Sequence, residues 1–304
     1  ETLGCVGCHE QRQESPPPHG RPVLAAVGRP PSRIEPFSGF PDVLDFPRDI
    51  QPVLDRHCLK CHDDRERTGG VVLHGDLGPH WSHAYFMLLA RRQVGDGRNG
   101  FGNQPPRTLG SAASPLLDKV GGAHHDVRVP PREWRTLWLW LESGAPFAGS
   151  YGALRNEEQQ RAADAATGAA LGAQRALLER RCLGCHAAGG RAPAFAADPQ
   201  ERRRALGRPT APYERVVLEA DPAVRFSPNI LLNFTRPERS LLLLAPLARE
   251  AGGYGLCPGV FADRADPDYR ALLAAIEQGR ALLTAEPRYG EPGFRPNRQY
   301  VREL

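Results

Sequence analysis

Pro52-Val53-Leu54-Asp55-Arg56-His57-Cys58-Leu59-Lys60-Cys61-His62 carries two signals at once. Ile50, Val53, Leu54, His57, Cys58 and Cys61 fall on one helical stripe, with Pro47 and Pro52 near its start, where missing backbone donors matter least. The stripe ends in Cys-x-x-Cys-His, the spacing of covalent haem c attachment. Two thiols three residues apart on a helical turn can form thioethers to both vinyl groups of one porphyrin, and the adjacent His then lies under the iron.

The same spelling occurs as Cys5-Val6-Gly7-Cys8-His9 and as Cys182-Leu183-Gly184-Cys185-His186, so six of the seven cysteines are used. Random placement of seven Cys and ten His in 304 residues predicts roughly 0.005 such matches. Zinc is the competing use of paired Cys-x-x-Cys units, but three copies each followed at once by His, with one cysteine left over, suit a zinc ribbon poorly. Three covalently bound haem c groups are the expectation, attached at Cys5, Cys8, Cys58, Cys61, Cys182 and Cys185 and held by His9, His62 and His186.

The surroundings of the second and third motifs repeat. After His62 come Gly69-Gly70, a long loop, Ser114-Pro115-Leu116-Leu117, Gly121-Gly122, His124-His125 and a segment from Pro131 to Glu142. After His186 come Gly189-Gly190, a long loop, Ser240-Leu241-Leu242, Gly252-Gly253, Tyr254 to Cys257 and a segment from Pro267 to Gln278. The haem His and the Ser are 52 residues apart in one copy and 54 in the other. The closing segments read as amphipathic helices, with Trp134, Leu137, Trp138 and Leu141 inward in one and Tyr269, Leu272, Leu273, Ile276 and Leu283 in the other. Asp266 suits an N-cap, Pro131 and Pro267 a first turn, and Gly144 a C-cap.

A motif helix, a loop with the sixth ligand and a closing helix resemble the plan of class I cytochromes c. The expected fold is mainly α with long irregular loops. It comprises an N-terminal haem-binding segment (1–36), a class I cytochrome c-like unit for the second haem (37–150) and a second such unit for the third haem (151–304). Residues 145–170, including the Ala-rich Asn156 to Ala170, read as a linker and helix between the units.

Sixth ligands separate electron carriers from catalysts, because an open or weakly held position permits chemistry. His124 stands where a class I sixth ligand belongs, with His125 beside it. The third unit offers no His or Met after His186, so the candidates are Cys257 as a thiolate or His83 reaching across from the first half. For the first haem, His57 and then His83 are the candidates, with His19 the local one. His74 and His80 read as surface residues.

Gly 32, Pro 30 and little β-branched alternation fit short helices joined by loops. The formal charge of +4, from scattered basic residues, does not indicate a nucleic-acid partner. Six propionates bring it to about −2 with ferrous haems and about +1 with ferric ones. No apolar run approaches the ~20 residues of a membrane span. Because haem c is attached outside the cytoplasmic membrane, a chain opening at Glu1 reads as an exported, periplasmic or extracellular protein whose leader is absent.

Leu3 to Glu10, Phe46 to His62, Gly97 to Gly110, His124 to Tyr151, Arg236 to Cys257 and Phe294 to Glu303 together resemble the cytochrome domains of hydrazine synthase alpha-subunit-like proteins. The resemblance implies export, covalent haem and electron transfer, with a bis-His haem on His62 and His124. Hydrazine synthesis does not carry over: the family's active haem is bound by a Tyr just after its motif, and Glu10 to Gln13 contain none. The leading expectation is a non-enzymatic triheme electron carrier between redox partners or along a homopolymer or large complex, with the Pro-rich Glu291 to Gln299 as a strap. The alternative is a haem enzyme acting on a small nitrogen or oxygen compound at an open position.

Overall fold

A computed structural model describes residues 30, 31, 33, 35, 37–95, 105–149, 157–186 and 227–295. The first haem motif and His19 lie outside them. The chain divides into Glu1–Asp42 and Val43–Leu304, and everything below concerns the second unit. Its described residues are mainly helical, with only isolated bridges at Leu77–Ser82, Gly121–Arg128 and Leu247–Phe261 in place of a sheet. None of the described helices is long and apolar enough to cross a membrane.

A wide helical turn, Phe46–Ile50, leads into α1 (Gln51–His57) and α2 (Leu59–His62). Cys58 joins these two helices with a stretched φ of −119°, yet its N–H donates to Leu54 and its carbonyl accepts from His62 N, so one rod carries the motif. α3 (His83–Ala90) is capped by the Ser82 hydroxyl, α4 spans Pro115–Val120 and α5 spans Pro131–Glu142. These elements close an apolar cluster around Phe46, Ile50, Leu54, Leu137, Trp140 and Leu141. An aromatic box stiffens it: Phe46 meets Tyr85 edge-on at 5.1 Å, and Tyr85 meets Phe147 at 5.1 Å.

The inward stripe of α5 is turned from the expected one. Trp140 is fully buried and donates its indole N–H to the Pro146 carbonyl, while Trp134, expected inside, is 37% exposed in the first turn. Leu137 and Leu141 are inside as expected. The reversal at Gly144 (φ 89°) and Ala145 (φ 51°) is held by the buried Tyr85 hydroxyl, which donates to the Ala145 carbonyl at 3.0 Å. Tyr85→Phe should cost about 1–2 kcal/mol in a denaturant titration, because the carbonyl loses its donor with no water to replace it.

A second apolar cluster is built from α6 (Glu157–Thr167) with its continuation Gly168–Gly172, α7 (Arg175–His186), the short helices α8 (Pro228–Leu231) and α9 (Leu241–Leu244), and α10 (Pro267–Ala285). Asp266 caps α10 by accepting from the N–H groups of Asp268 and Tyr269, and Tyr269, Leu272, Ile276 and Leu283 are buried as the stripe requires. Residues 157–170 do more than link: Ala163, Ala166 and Ala170 are fully buried against α10. The reason is size. Small side chains on α6 and Gly279 on α10 let the backbones close, and a Cβ at 279 would stand 2.6 Å from Phe234 and 2.8 Å from the Ala166 carbonyl.

Candidate functional site

Each of the two described motif helices is clipped to the closing helix of its own half by the side chains that immediately precede its cysteines. In the first half Arg56 Nη2 lies 2.8 Å from Glu133 Oε1, and His57 Nε2 lies 2.7 Å from Glu133 Oε2. In the second, Arg180 and Arg181 meet Asp268 at 2.8 and 2.6 Å, and Arg181 also reaches Asp266 at 2.9 Å. Glu133 and Asp268 both sit in the first turn of the closing helix, where a carboxylate also suits the helix dipole. The sequence repeat is thus a repeat of a contact, in which the last turns of a motif helix meet the start of a closing helix. The ion pairs are exposed on the Arg56 and Arg180 sides, so they orient the helices more than they stabilise them.

His62 and His124 are brought together, with ring centroids 5.9 Å apart and planes 19° from parallel. Two imidazoles this close could together hold the iron of a haem, which would supply one-electron exchange there. His62 Nδ1 is buried with no hydrogen-bond partner, an unsatisfied group at that spot. His124 is presented by a strained turn: His125 (φ 49°) and Asp126 (φ 57°) are both left-handed, and Gly122 (φ 114°) lets the Arg128 guanidinium fold back onto the Gly121 carbonyl. Burial, helped by His125, Lys119 and His62, holds the His124 pKa below its ordinary value, which favours the neutral form a metal takes. Cys58 and Cys61 stand on the same rod, and burial pushes the Cys58 thiol up to about 11.

The third motif has a different opposite face. Tyr254, at the place of His124, gives its hydroxyl proton to the Asp64 carbonyl, and the Arg67 guanidinium lies 5.4 Å from the centre of its ring. Cys257 is half-buried, and burial and then the charge of Cys185 raise its pKa. Burial and then the Cys257 charge push Cys182 up to about 11. Cys257 thus shares its surroundings with both motif thiols. Among the described residues, no group of three or more His, Cys, Asp and Glu is arranged to hold a metal ion, so the four-ligand set of a zinc ribbon is not formed there.

Among the described residues, three further histidines have partners of their own. His57 Nε2 faces Glu133, and His83 Nε2 donates to the Leu232 carbonyl at 3.1 Å inside the core. His74, expected at the surface, is instead buried beside His83, with ring centroids 5.0 Å apart. It turns inward because Asp76 N–H donates to its Nδ1, and Asp76 is itself held by Arg236 and Asn233. The first half and the second meet along this seam, which the sequence did not disclose. Arg67, Asp64 and the carboxylates opposite each motif were also missed. Aligning the two copies for opposite charge at the motif and at the closing helix would have exposed the last of these.

Compared with family models, curated proteins and solved structures, the chain matches none.

Proposed function

We propose that this chain is a triheme c-type cytochrome that carries electrons outside the cytoplasmic membrane, as a wire between redox partners or along copies of itself. Its two repeated halves take the roles of class I cytochrome c-like units, within the kind of multihaem cytochrome domain that accompanies hydrazine synthase alpha-subunit-like proteins. The observation that carries this reading is the repeated clip between motif helix and closing helix, together with the 5.9 Å approach of His62 and His124. Covalently bound haem supplies one-electron exchange at its iron. The protein's part is to hold His62 and His124 on rigid, strained and ion-paired elements, and to bind the two halves into one body. The turn after His62 is fastened to the loop that ends in Cys257 by Tyr254, Arg67 and the Arg239–Asp64 pair. A short, stiff path between two centres is what a wire needs.

A second reading rests on one observation. Tyr254 is committed to the Asp64 carbonyl, which leaves Cys257 as the one soft donor on the described loop beside the third motif's cysteines. If Cys257 is not a ligand, the third position is open, and the chain acts as a haem enzyme on a small nitrogen or oxygen compound.

Purified protein from a host able to attach haem c decides between them. Intact mass and the alkaline pyridine spectrum should count three covalent haems per chain. Carbon monoxide and cyanide should leave every haem spectrum of the wire unchanged. A chain without covalent haem would end both readings, and ligand binding at one haem would favour the enzyme.

A further inference from the structure

Between the turn Asp64–Arg67, helix α3 and helices α8 and α9 lies a shallow, partly open cleft, with Arg67, His74, His83, Met87, Asn229 and Tyr254 in its walls. Its cations are unequally served. Arg239 pairs with Asp64 at 2.5 Å, and Arg236 with Asp76 at 2.6 Å. Arg67 has neither: among the described residues it forms no ion pair, and its Nε is buried without a hydrogen-bond partner.

The chain goes to some trouble to place this side chain. Asp63 Oδ1 accepts the N–H groups of Arg65 and Glu66, and Arg67 N–H donates to the Asp63 carbonyl. This wound turn leaves Arg67 left-handed (φ 42°, ψ 42°), a conformation that is strained for a side-chain-bearing residue. The guanidinium then lies over the Tyr254 ring, whose face compensates the charge but offers the N–H fork no acceptor. Arg91 is near enough to add positive field, because it lowers the Arg67 pKa along with burial.

Both histidines of the cleft are neutral. His74 accepts the Asp76 N–H at Nδ1, so its proton is on Nε2, and His83 uses its own Nε2 proton on Leu232. A cleft with one half-buried guanidinium that has no ion pair among the described residues, a second nearby, and no free carboxylate repels cations and suits a planar anion.

We propose that this cleft is a carboxylate-binding site in which the Arg67 guanidinium receives the anion. Two sources present that chemistry. One is a propionate of a haem attached to this chain, since Arg67 follows His62 by five residues and Tyr254 lies in the loop opposite the third motif; this source rests on the haem reading above. The other is a small free carboxylate such as acetate or succinate.

The test compares wild type, Arg67→Gln and Arg67→Lys, all haem-loaded, with covalent haem count and circular dichroism as the folding control. Spectroelectrochemistry from pH 6 to 8 reads the first source. Loss of the cation in Arg67→Gln should raise the ferric-to-ferrous ratio of one haem about tenfold at fixed potential, a 59 mV fall for a one-electron couple. That haem should also become more pH-dependent as its propionate titrates, and Arg67→Lys should restore most of both. Calorimetric titration with acetate and succinate reads the second source, with binding to wild type that Arg67→Gln loses. Unchanged potentials and no carboxylate binding, with haem count intact, would overturn the site. A wild type without covalent haem would sink the functional reading alone, because the calorimetric arm still tests the cleft.

Discussion

On the proposed haem reading, a His124→Ala variant should change one haem per chain from low spin to high spin and take up one more equivalent of carbon monoxide than wild type. The ring of His124 lies 5.9 Å from that of His62, centroid to centroid, so these two are the described histidines placed to share one iron. His125 is the near neighbour, 4.5 Å away between ring centroids, but its ring is turned 73° from that of His124. Its left-handed backbone serves the turn instead. His125→Ala should therefore leave the spin state unchanged while relaxing the turn, and added imidazole should return His124→Ala toward the low-spin spectrum. Measurement is by the ferric absorption and EPR spectra with carbon monoxide titration. If His125→Ala, not His124→Ala, gave the high-spin signal, the ligand assignment would be reversed.

Acid should weaken the fold well before its carboxylates are protonated. His83 is buried and its pKa is pushed down to about 4, first by burial and then by the neighbouring His74, while the Leu232 carbonyl and Asp76 pull the other way and Arg67 adds to the depression. In the unfolded chain the same group titrates near 6.5. The unfolded state thus binds the proton that the native state refuses, so the stability from this group is whole above about pH 6.5 and is lost as pH falls toward 4. Between pH 6.5 and 5 the loss from His83 should be about 2 kcal/mol. His74, depressed mainly by its own burial, adds in the same direction. Urea titrations across that window should show the slope in wild type, a shallower one in His83→Gln and nearly none in the double variant with His74→Gln. Equal slopes in all three would mean that other groups govern acid sensitivity.

The helices were legible because their signals are local. Pro131 and Pro267 at first turns, Asp266 at an N-cap and the apolar spacing of α10 act within a few residues, and each appears where the pattern puts it. Trp134 and Trp140 show the limit. Both satisfy a stripe at helical spacing, and only the packing of Phe46 and Tyr85 selects Trp140 for the core. His74 failed for the same reason, since its burial depends on Asn233 and Arg236, about 160 positions away along the chain.

By itself, the sequence determined the three Cys-x-x-Cys-His motifs, their duplicated setting in the second and third copies, and the expectation that His124 stands near His62, because spacing on one helix and order along the chain suffice for these. Tertiary structure alone decided which cations meet which carboxylates, where Tyr254 spends its hydroxyl proton, and that Arg67 is left with none of its neighbours' carboxylates. Those are questions of charge balance between segments far apart in sequence, and only the folded chain brings the claimants together.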